Sequence, residues 1–262
     1  MRPDARRQAL AILALGEPLA KAAQARALYA ELTYAAIDPD AQIIPTVPLP
    51  GRPPLPRLVP AKSVPTRSPF TLEGRAALLH AVTHIEFNAI NLALDAVWRF
   101  EHLPHAFYRD WLRVASEEAL HFTLLREHLL TLGHDYGAFD AHDGLWAMTE
   151  RTAFDVTARM ALVPRTLEAR GLDAAPPMQD KLRRAGDLRA VEILALILRD
   201  EVGHVAIGNH WYRWLCEREG LDPVAHYAML AQRHAAPRLR PPFNHAARLA
   251  AGFTEGEIAL LE

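Results

Sequence analysis

The spacing of apolar residues predicts helices along most of this chain. From residue 71 onward, Leu, Ile, Val and Ala recur at intervals of three and four residues, which is typical of one face of an α-helix. Thr71 is suited to an N-cap and Pro104 to the first turn of a helix. Gly133 and Gly220 are suited to helix ends. Since no convincing strand pattern interrupts the helical spacing, the sequence predicts an all-α fold.

Four long helical segments between residues 71 and 220 predict a four-helix bundle. They span about residues 71–101, 104–133, 145–171 and 188–220, with loops of mixed length between them. We expect the third helix to be kinked near Pro164, because proline removes a helical hydrogen bond, and to end by Gly171. The stretch AAPPMQDKLRRAGD that follows is expected to be a loop with at most one short helix.

The segments on either side of the predicted bundle differ from it in composition. Residues 1–36 predict an Ala-rich helical extension with a break near Gly16. Residues 37–70 carry a proline every few residues, too many for a helix, and are expected to be extended. Their interleaved Ile, Val and Leu favour packing along the bundle surface over a free linker. After the bundle at 71–220, residues 221–262 predict a C-terminal helix and tail.

Composition and charge narrow the function classes. Half of the 262 residues are hydrophobic and 23% are charged, which is ordinary for a globular domain. The net charge of −2 gives no sign of a strongly basic nucleic-acid surface, although a local arginine patch could still bind RNA. The single cysteine, Cys216, excludes an intrachain disulfide and a thiolate metal cluster. Without a membrane-length apolar run or a convincing signal-peptide cleavage site, we expect a cytoplasmic protein with no membrane partner.

The same polar motif interrupts two of the apolar helices. WLRVASEEALHFTLL contains Glu118 and His121, and ILRDEVGHVAIG contains Glu201 and His204. Residues at i and i+3 lie on one helix face, and the neighbours on these two faces are apolar. Both pairs are therefore expected to point inward. One Glu-x-x-His motif is a weak signal, but two of them within apolar stripes are a strong one.

The other two helices supply one inward glutamate each. Glu86 lies on an apolar face of the first helix, and Glu168 lies near the end of the third. Each precedes the glutamate of a Glu-x-x-His motif, by 32 residues in the first case and 33 in the second. This repetition is expected of two helical hairpins related by a pseudo-twofold axis. If the register of the third helix differs, Glu150 or Asp155 could replace Glu168.

Four inward carboxylates require compensation, because an unpaired buried carboxylate is costly and neighbouring carboxylates repel one another. Two divalent cations would cancel the four charges, and two neutral imidazoles would complete the coordination. This is the ligand set of di-iron carboxylate bundles. The predicted metal ligands are Glu86, Glu118, His121, Glu168, Glu201 and His204. Glu117 and Asp200, each one residue before a ligand glutamate, are predicted to accept the far N–H of the ligand histidines and so orient them.

A second histidine pair, His80 and His84, lies one turn apart on the first helix. His84 is about 200° around that helix from Glu86, so the two cannot easily share a site. A second metal pair is one interpretation of these residues. Ordinary histidines at the surface or between helices are the favoured one.

The sequence resembles the ferritin-like superfamily and, more narrowly, an uncharacterised bacterial ferritin-like family, a domain of unknown function. The segments that carry this resemblance are RAALLHAVTHIEFNAINLALDAVWRF, SEEALHF, ARMALVPRTLEARGLD, RDEVGHVAIG and PFNHAARLAAGF. The resemblance implies the bundle and its ligands but no substrate. A more distant similarity, through Glu168, Ala169 and Arg170, is to the di-iron tRNA hydroxylase that acts on isopentenyl-adenosine.

These observations favour one function and leave others open. Carboxylate and imidazole ligands suit iron and manganese, so the first hypothesis is an oxidoreductase that uses two Fe ions, or Mn/Fe, with O2 as co-substrate. It would hydroxylate or otherwise oxygenate an unidentified organic substrate, with an unknown electron donor. The alternatives are a ferroxidase or peroxide-scavenging protein, a tRNA-modifying hydroxylase and a scaffold with a structural metal site. A homodimer also remains open.

Overall fold

Helices account for most of the residues that the computed structural model describes, which are 4–32 and 36–261. The chain divides into two compact units, Met1–Trp146 and Ala147–Glu262. Within the described ranges no strand forms, and β-pairing is confined to isolated bridges. The predicted all-α class is therefore confirmed, while the four-helix bundle and its division from the flanking segments stay predictions.

The first unit is built on two long helices, and two shorter helices that precede them in the chain pack against them. The four are α1 (Ala5–Leu13), α2 (Pro18–Ala30), α3 (Leu72–Arg99) and α4 (His105–Thr131). Helix α3 packs along α4, and α1 and α2 pack against this pair. The predicted cap of α3 is confirmed, because the Thr71 hydroxyl accepts a hydrogen bond from the Gly74 N–H at 3.1 Å. Gly133, with φ of +79°, follows the end of α4 as predicted.

The proline-rich segment runs along the surface of the first unit in extended form, apart from one 3₁₀ turn at Ala61–Ser63. The Gly51 N–H donates to the Leu13 carbonyl at 2.9 Å. Further on, the Val59 N–H donates to Ala141 and the Ala141 N–H donates to Arg57, at 2.8 and 3.0 Å. These contacts favour a packed segment over a free linker.

A buried lysine fixes this segment to two helices. Lys21 of α2 donates from Nζ to the Gly51 carbonyl at 2.8 Å and to Asn91 Oδ1 of α3 at 2.6 Å. Burial of the amine, and secondarily the charge of Arg52, lowers the pKa of Lys21 to about 7. The side chain therefore joins three parts of the unit while losing its charge near neutral pH.

The lysine makes the stability of the protein depend on pH. Between pH 7 and about 10.5 the unfolded chain keeps a proton on Lys21 that the folded chain has released. The free energy of unfolding is therefore expected to rise with pH across this window. Urea unfolding of wild type, Lys21→Met and the exposed control Lys62→Met at several pH values would measure it. An unchanged pH slope in Lys21→Met would contradict the assignment.

The second unit contains the remaining helices. After α5 (Gly144–Arg151), in which the division of the units falls, come α6 (Val156–Leu162), a π-helix (Val163–Glu168), α7 (Ala169–Arg184), α8 (Leu188–Glu219), α9 (Pro223–Arg233), α10 (His245–Ala250) and α11 (Glu255–Ala259). Helices α6 and α7 and the π-helix all pack against α8. Gly220, in the left-handed conformation, ends α8 as predicted.

The predicted continuous third helix is wrong. Helix α5 ends at Arg151, and α6 begins only after Asp155. The Oδ1 of Asp155 accepts the Ala158 N–H at 2.8 Å and caps α6. The irregularity expected near Pro164 is confirmed and takes the form of the π-helix. Since proline has no N–H to donate to the preceding turn, a wider backbone hydrogen-bond pattern is accommodated there. The Thr166 hydroxyl adds a bond to the Ala161 carbonyl at 2.7 Å.

The predicted helix end at Gly171 and the predicted loop after it are also wrong. Helix α7 continues through Pro176 and Pro177 to Arg184. Pro176 cannot donate to the Leu172 carbonyl one turn earlier, but that carbonyl accepts a hydrogen bond from the Asn244 side chain at 3.1 Å. A distant residue thus replaces the bond that the proline removes.

The C-terminal tail is more ordered than predicted, because it carries α10 and α11 and packs into the second unit. Arg248 of α10 is buried, and its Nη2 lies 2.6 Å from Asp173 Oδ2 of α7. Buried apolar side chains of α7, α8 and the tail form one hydrophobic cluster: Ala169, Leu172, Val205, Ala251, Phe253 and Ile258. The tail therefore contributes to the core of this unit.

Candidate metal centre

The first unit brings three predicted ligands together. Glu86 of α3 and Glu118 and His121 of α4 are all buried, and each offers a ligand atom within 4.8 Å of the others. His121 Nδ1 lies 3.2 Å from Glu86 Oε2 and 3.3 Å from Glu118 Oε2. This cluster, called the first half-site below, could hold a metal ion.

Regular helix geometry produces the first half-site. Glu118 and His121 are one turn apart on α4 and therefore share a face, and the packing of α3 on α4 brings Glu86 to that face. The rings of Phe87 and Phe122, which adjoin Glu86 and His121 in sequence, lie 5.6 Å apart. Glu86 is 4% exposed, and Glu118 and His121 are fully buried, so bulk water is largely kept from the cluster itself.

The electrostatics of the first half-site favour a cation. Burial raises the pKa of Glu86 well above its ordinary value, and the Glu118 carboxylate raises it further, while His121 opposes both. Two carboxylates and an imidazole nitrogen form a donor set that divalent iron, manganese and zinc accept. A cation at this point would offset the repulsion between the carboxylates and the cost of burying them. The residues therefore fit a metal ion.

The raised pKa predicts that Glu86 destabilises the metal-free protein. As pH rises above about 4.5, the unfolded chain loses a proton that folded Glu86 retains, so the free energy of unfolding falls. Glu86→Gln should therefore be more stable than wild type at neutral pH after chelation, although we expect it to bind metal more weakly. Thermal unfolding at pH 5 and 7.5 measures the difference, with exposed Glu73→Gln of the same helix as control. A less stable metal-free Glu86→Gln at pH 7.5 would refute this.

The second unit carries the equivalent residues, called the second half-site. Glu201 and His204 of α8 are buried, with His204 Nδ1 3.7 Å from Glu201 Oε1. Glu168, also buried, is the last residue of the π-helix, which packs on α8. Of the alternatives to Glu168, Glu150 is exposed and Asp155 caps a helix, while Glu168 as a metal ligand stays a prediction.

A glycine brings the π-helix close to α8. Gly208 lies one turn after His204, and a Cβ built on Gly208 would stand 2.5 Å from Pro164 Cβ. No side chain fits there without displacement of the proline ring or of the helix. The apolar spacing around Gly208 did not indicate this contact, although a glycine inside a long helical pattern is a known sign of close packing.

Gly208→Ala should therefore destabilise the protein despite the better helix propensity of alanine. Forcing a methyl group into a filled space costs about 1–3 kcal/mol, and the rigid proline ring 2.5 Å away places this site at the upper end, above the gain of about 1 kcal/mol from propensity. Gly171→Ala is the matched control, because nothing lies within 4 Å of its Cβ position, and it should stabilise the protein. Chemical denaturation compares the two. Equal stability gains in both variants would argue against the close approach.

The predicted orienting residues make contacts on their own helices. Glu117 Oε1 accepts from Arg113 Nε at 3.0 Å, and Asp200 Oδ1 accepts from Arg199 Nε at 2.9 Å. Both carboxylates are partly exposed. Their role as acceptors for the ligand histidines stays a prediction.

His80 and His84 are buried within the first unit, so a surface location is wrong, and their hydrogen-bond partners lie in the loop after α4 and on α3 itself. His80 Nε2 accepts the Gly137 N–H at 2.9 Å, and His84 hydrogen-bonds Tyr136 and Asn88 at 2.9 and 3.0 Å. Burial lowers the pKa of His80 to about 4 and that of His84 to about 3, with smaller contributions from neighbouring charges. Both rings are therefore neutral at pH 7 and bonded to protein groups.

The comparison with known proteins places the chain in a family. The model of the family described as "Protein of unknown function (DUF455)" matches residues 15–259. The chain belongs to the DUF455 family. It is 52% identical over 224 residues to an uncharacterized protein of Haemophilus influenzae, a match that covers 83% of this chain and 78% of the relative. No solved structure matches it.

The DUF455 match includes both half-sites, so the six predicted ligands all lie in the family's shared region. Within the described part of the chain, the helices are too short or too polar to cross a membrane.

Proposed function

We propose that this DUF455 protein joins its two half-sites into one dinuclear metal centre within a ferritin-like four-helix bundle. The observation that carries the proposal is the buried first half-site, in which His121 Nδ1 lies 3.2 and 3.3 Å from two carboxylates. The second unit repeats its Glu-x-x-His motif with Glu201 and His204, again buried and on one helix face. The bundle would consist of α3, α4, α8 and the helical run from α6 to α7.

Charge balance supports two ions rather than one. The complete ligand set has four carboxylates and two imidazoles: Glu86, Glu118, His121, Glu168, Glu201 and His204. Two divalent cations match the four negative charges, whereas a single ion would leave two of them buried without compensation. Oxygen and nitrogen donors without sulfur favour iron or manganese.

We further propose that the protein is an oxidoreductase that uses O2 and acts on an organic substrate. A pair of iron ions in such a site supplies the redox chemistry for O2 activation. The chain contributes geometry and exclusion of water: the carboxylates and histidines would fix the metal positions, and the ligands of the first half-site are buried away from solvent. Glu117 and Asp200 would orient His121 and His204 and hold a proton at their far ring nitrogens.

Metal content tests the dinuclear centre. Wild-type protein purified without oxygen and loaded with Fe(II) should retain about two ions per chain. Glu118→Ala and Glu201→Ala should each retain fewer while remaining folded, because each removes a predicted ligand. Exposed Glu127→Ala of α4 is the matched control and should behave as wild type. Elemental analysis and circular dichroism give the two readouts.

The outcomes separate the alternatives. A wild-type protein that binds no metal would contradict the proposal. Loss of helical structure in both variants would indicate a structural metal site. Loaded protein that consumes O2 only with a reductant and an organic acceptor supports the oxidoreductase. Rapid peroxide removal or iron oxidation without an organic acceptor would instead identify a scavenger or ferroxidase.

A further inference from the structure

A buried arginine anchors the π-helix that carries Glu168. Arg165 lies three residues before Glu168, and its Nη2 donates to Glu257 Oε1 of α11 at 2.6 Å. Its Nη1 donates to Asn209 Oδ1 of α8. The guanidinium also lies over the Phe253 ring, 4.6 Å from its centre. The π-helix is thus tied to α8 and to the C-terminal segment at one point.

Glu257 completes the connection between these elements. Its Oε2 accepts from Arg213 Nη2 of α8 at 2.7 Å and from the Thr254 N–H at 2.8 Å. Burial opposes ionisation, but the Thr254 N–H and the charges of Arg165 and Arg213 outweigh it and lower the pKa of Glu257. The carboxylate is therefore charged at neutral pH and bridges two arginines on different helices.

A second connection runs parallel to the first. Asn209, five residues after His204, donates from Nδ2 to the Ala251 carbonyl at 2.7 Å. Arg213 Nη1 donates to the Gly252 carbonyl at 2.6 Å. The turn between α10 and α11 is therefore fixed to the same helix that carries Glu201 and His204.

The π-helix needs such support because its backbone hydrogen-bond pattern is rarely adopted. Where π-helices do occur, they are often at functional sites. Pro164 disrupts the regular α-helical pattern at this point, and the positions of the following residues depend on what holds the widened turn. Arg165 is the basic residue of this π-helix, and its hydrogen-bond partners come from α8 and α11.

We propose that the C-terminal helix α11, through the Glu257–Arg165 ion pair, holds the π-helix in the register that places Glu168 for metal binding. Arg165 and Glu257 are positioning residues that act through Glu168. The inference rests on the proposed dinuclear centre and adds to it a role for the C-terminal segment.

Binding of Co(II) alone to the full chain tests the inference, with affinity measured by calorimetry and ligand geometry by visible absorption. Glu257→Gln should weaken Co(II) binding about tenfold and alter the spectrum, because loss of a ligand's supporting contact typically costs 10–100-fold in affinity. Glu255→Gln, on the same helix and exposed, is the matched control and should change neither. Arg165→Lys keeps the charge but lacks the guanidinium that bonds Asn209 and Glu257 through separate nitrogens. It should give a smaller loss of Co(II) affinity.

A double-mutant cycle separates positioning from general stabilisation. If Glu257 acts through Glu168, Glu257→Gln should cause no further loss of affinity in a Glu168→Ala background. Hydrogen exchange of the metal-free protein gives a readout that does not need metal: the amides of residues 165–169 should exchange faster in Glu257→Gln and at the wild-type rate in Glu255→Gln.

Four results would overturn the inference. Additive losses in the cycle, or unchanged exchange in the π-helix, would show that Glu257 does not act through Glu168, while the dinuclear centre would stand. Should Glu257→Gln fail to fold, wild-type Co(II) affinity and spectrum in Arg165→Lys would overturn it instead. A wild-type chain that takes up no Co(II) would refute the proposed function and this inference together.

Discussion

The interaction on which the rest of this structure depends is the repulsion between carboxylates buried side by side. Glu86 and Glu118 meet His121 inside the first unit, where water cannot screen their charges. A fold that only needed stability would place apolar side chains at these positions. Retaining the carboxylates there has a cost in the metal-free protein, and a bound cation is the simple physical compensation for it.

Other buried polar groups of the same unit are neutral or hydrogen-bonded to protein groups. His80 and His84 stay neutral and hydrogen-bond to Gly137, Tyr136 and Asn88, and Lys21 loses its charge near pH 7 while bonding Asn91. These groups are satisfied by the protein itself. The first half-site combines two acidic groups and one imidazole, which cannot neutralise one another fully. This difference in compensation distinguishes a candidate metal site from an ordinary buried polar cluster.

The two half-sites are supported by different means. The first is built from regular α-helices, α3 and α4, that pack along each other. In the second, Glu168 comes from a π-helix that lies against Gly208 at Pro164 and is joined to α11 by the Arg165–Glu257 ion pair. The first half-site therefore lies between two regular helices, whereas the second includes a residue from an irregular helix that contacts the C-terminal segment.

The sequence by itself determined the helical class, the cap at Thr71, the end at Gly220 and the inward face shared by each Glu-x-x-His pair. All of these depend on residues within a few positions of each other, so local spacing is enough to predict them. Only the tertiary structure decided that the chain breaks before Asp155, forms a π-helix at Pro164 and continues as helix through Pro176. The Leu172 carbonyl that Pro176 leaves free accepts from Asn244, and Arg165 is held by Glu257, so the partners are distant in sequence. Local pattern carries no information about such partners, because they meet only when the chain folds.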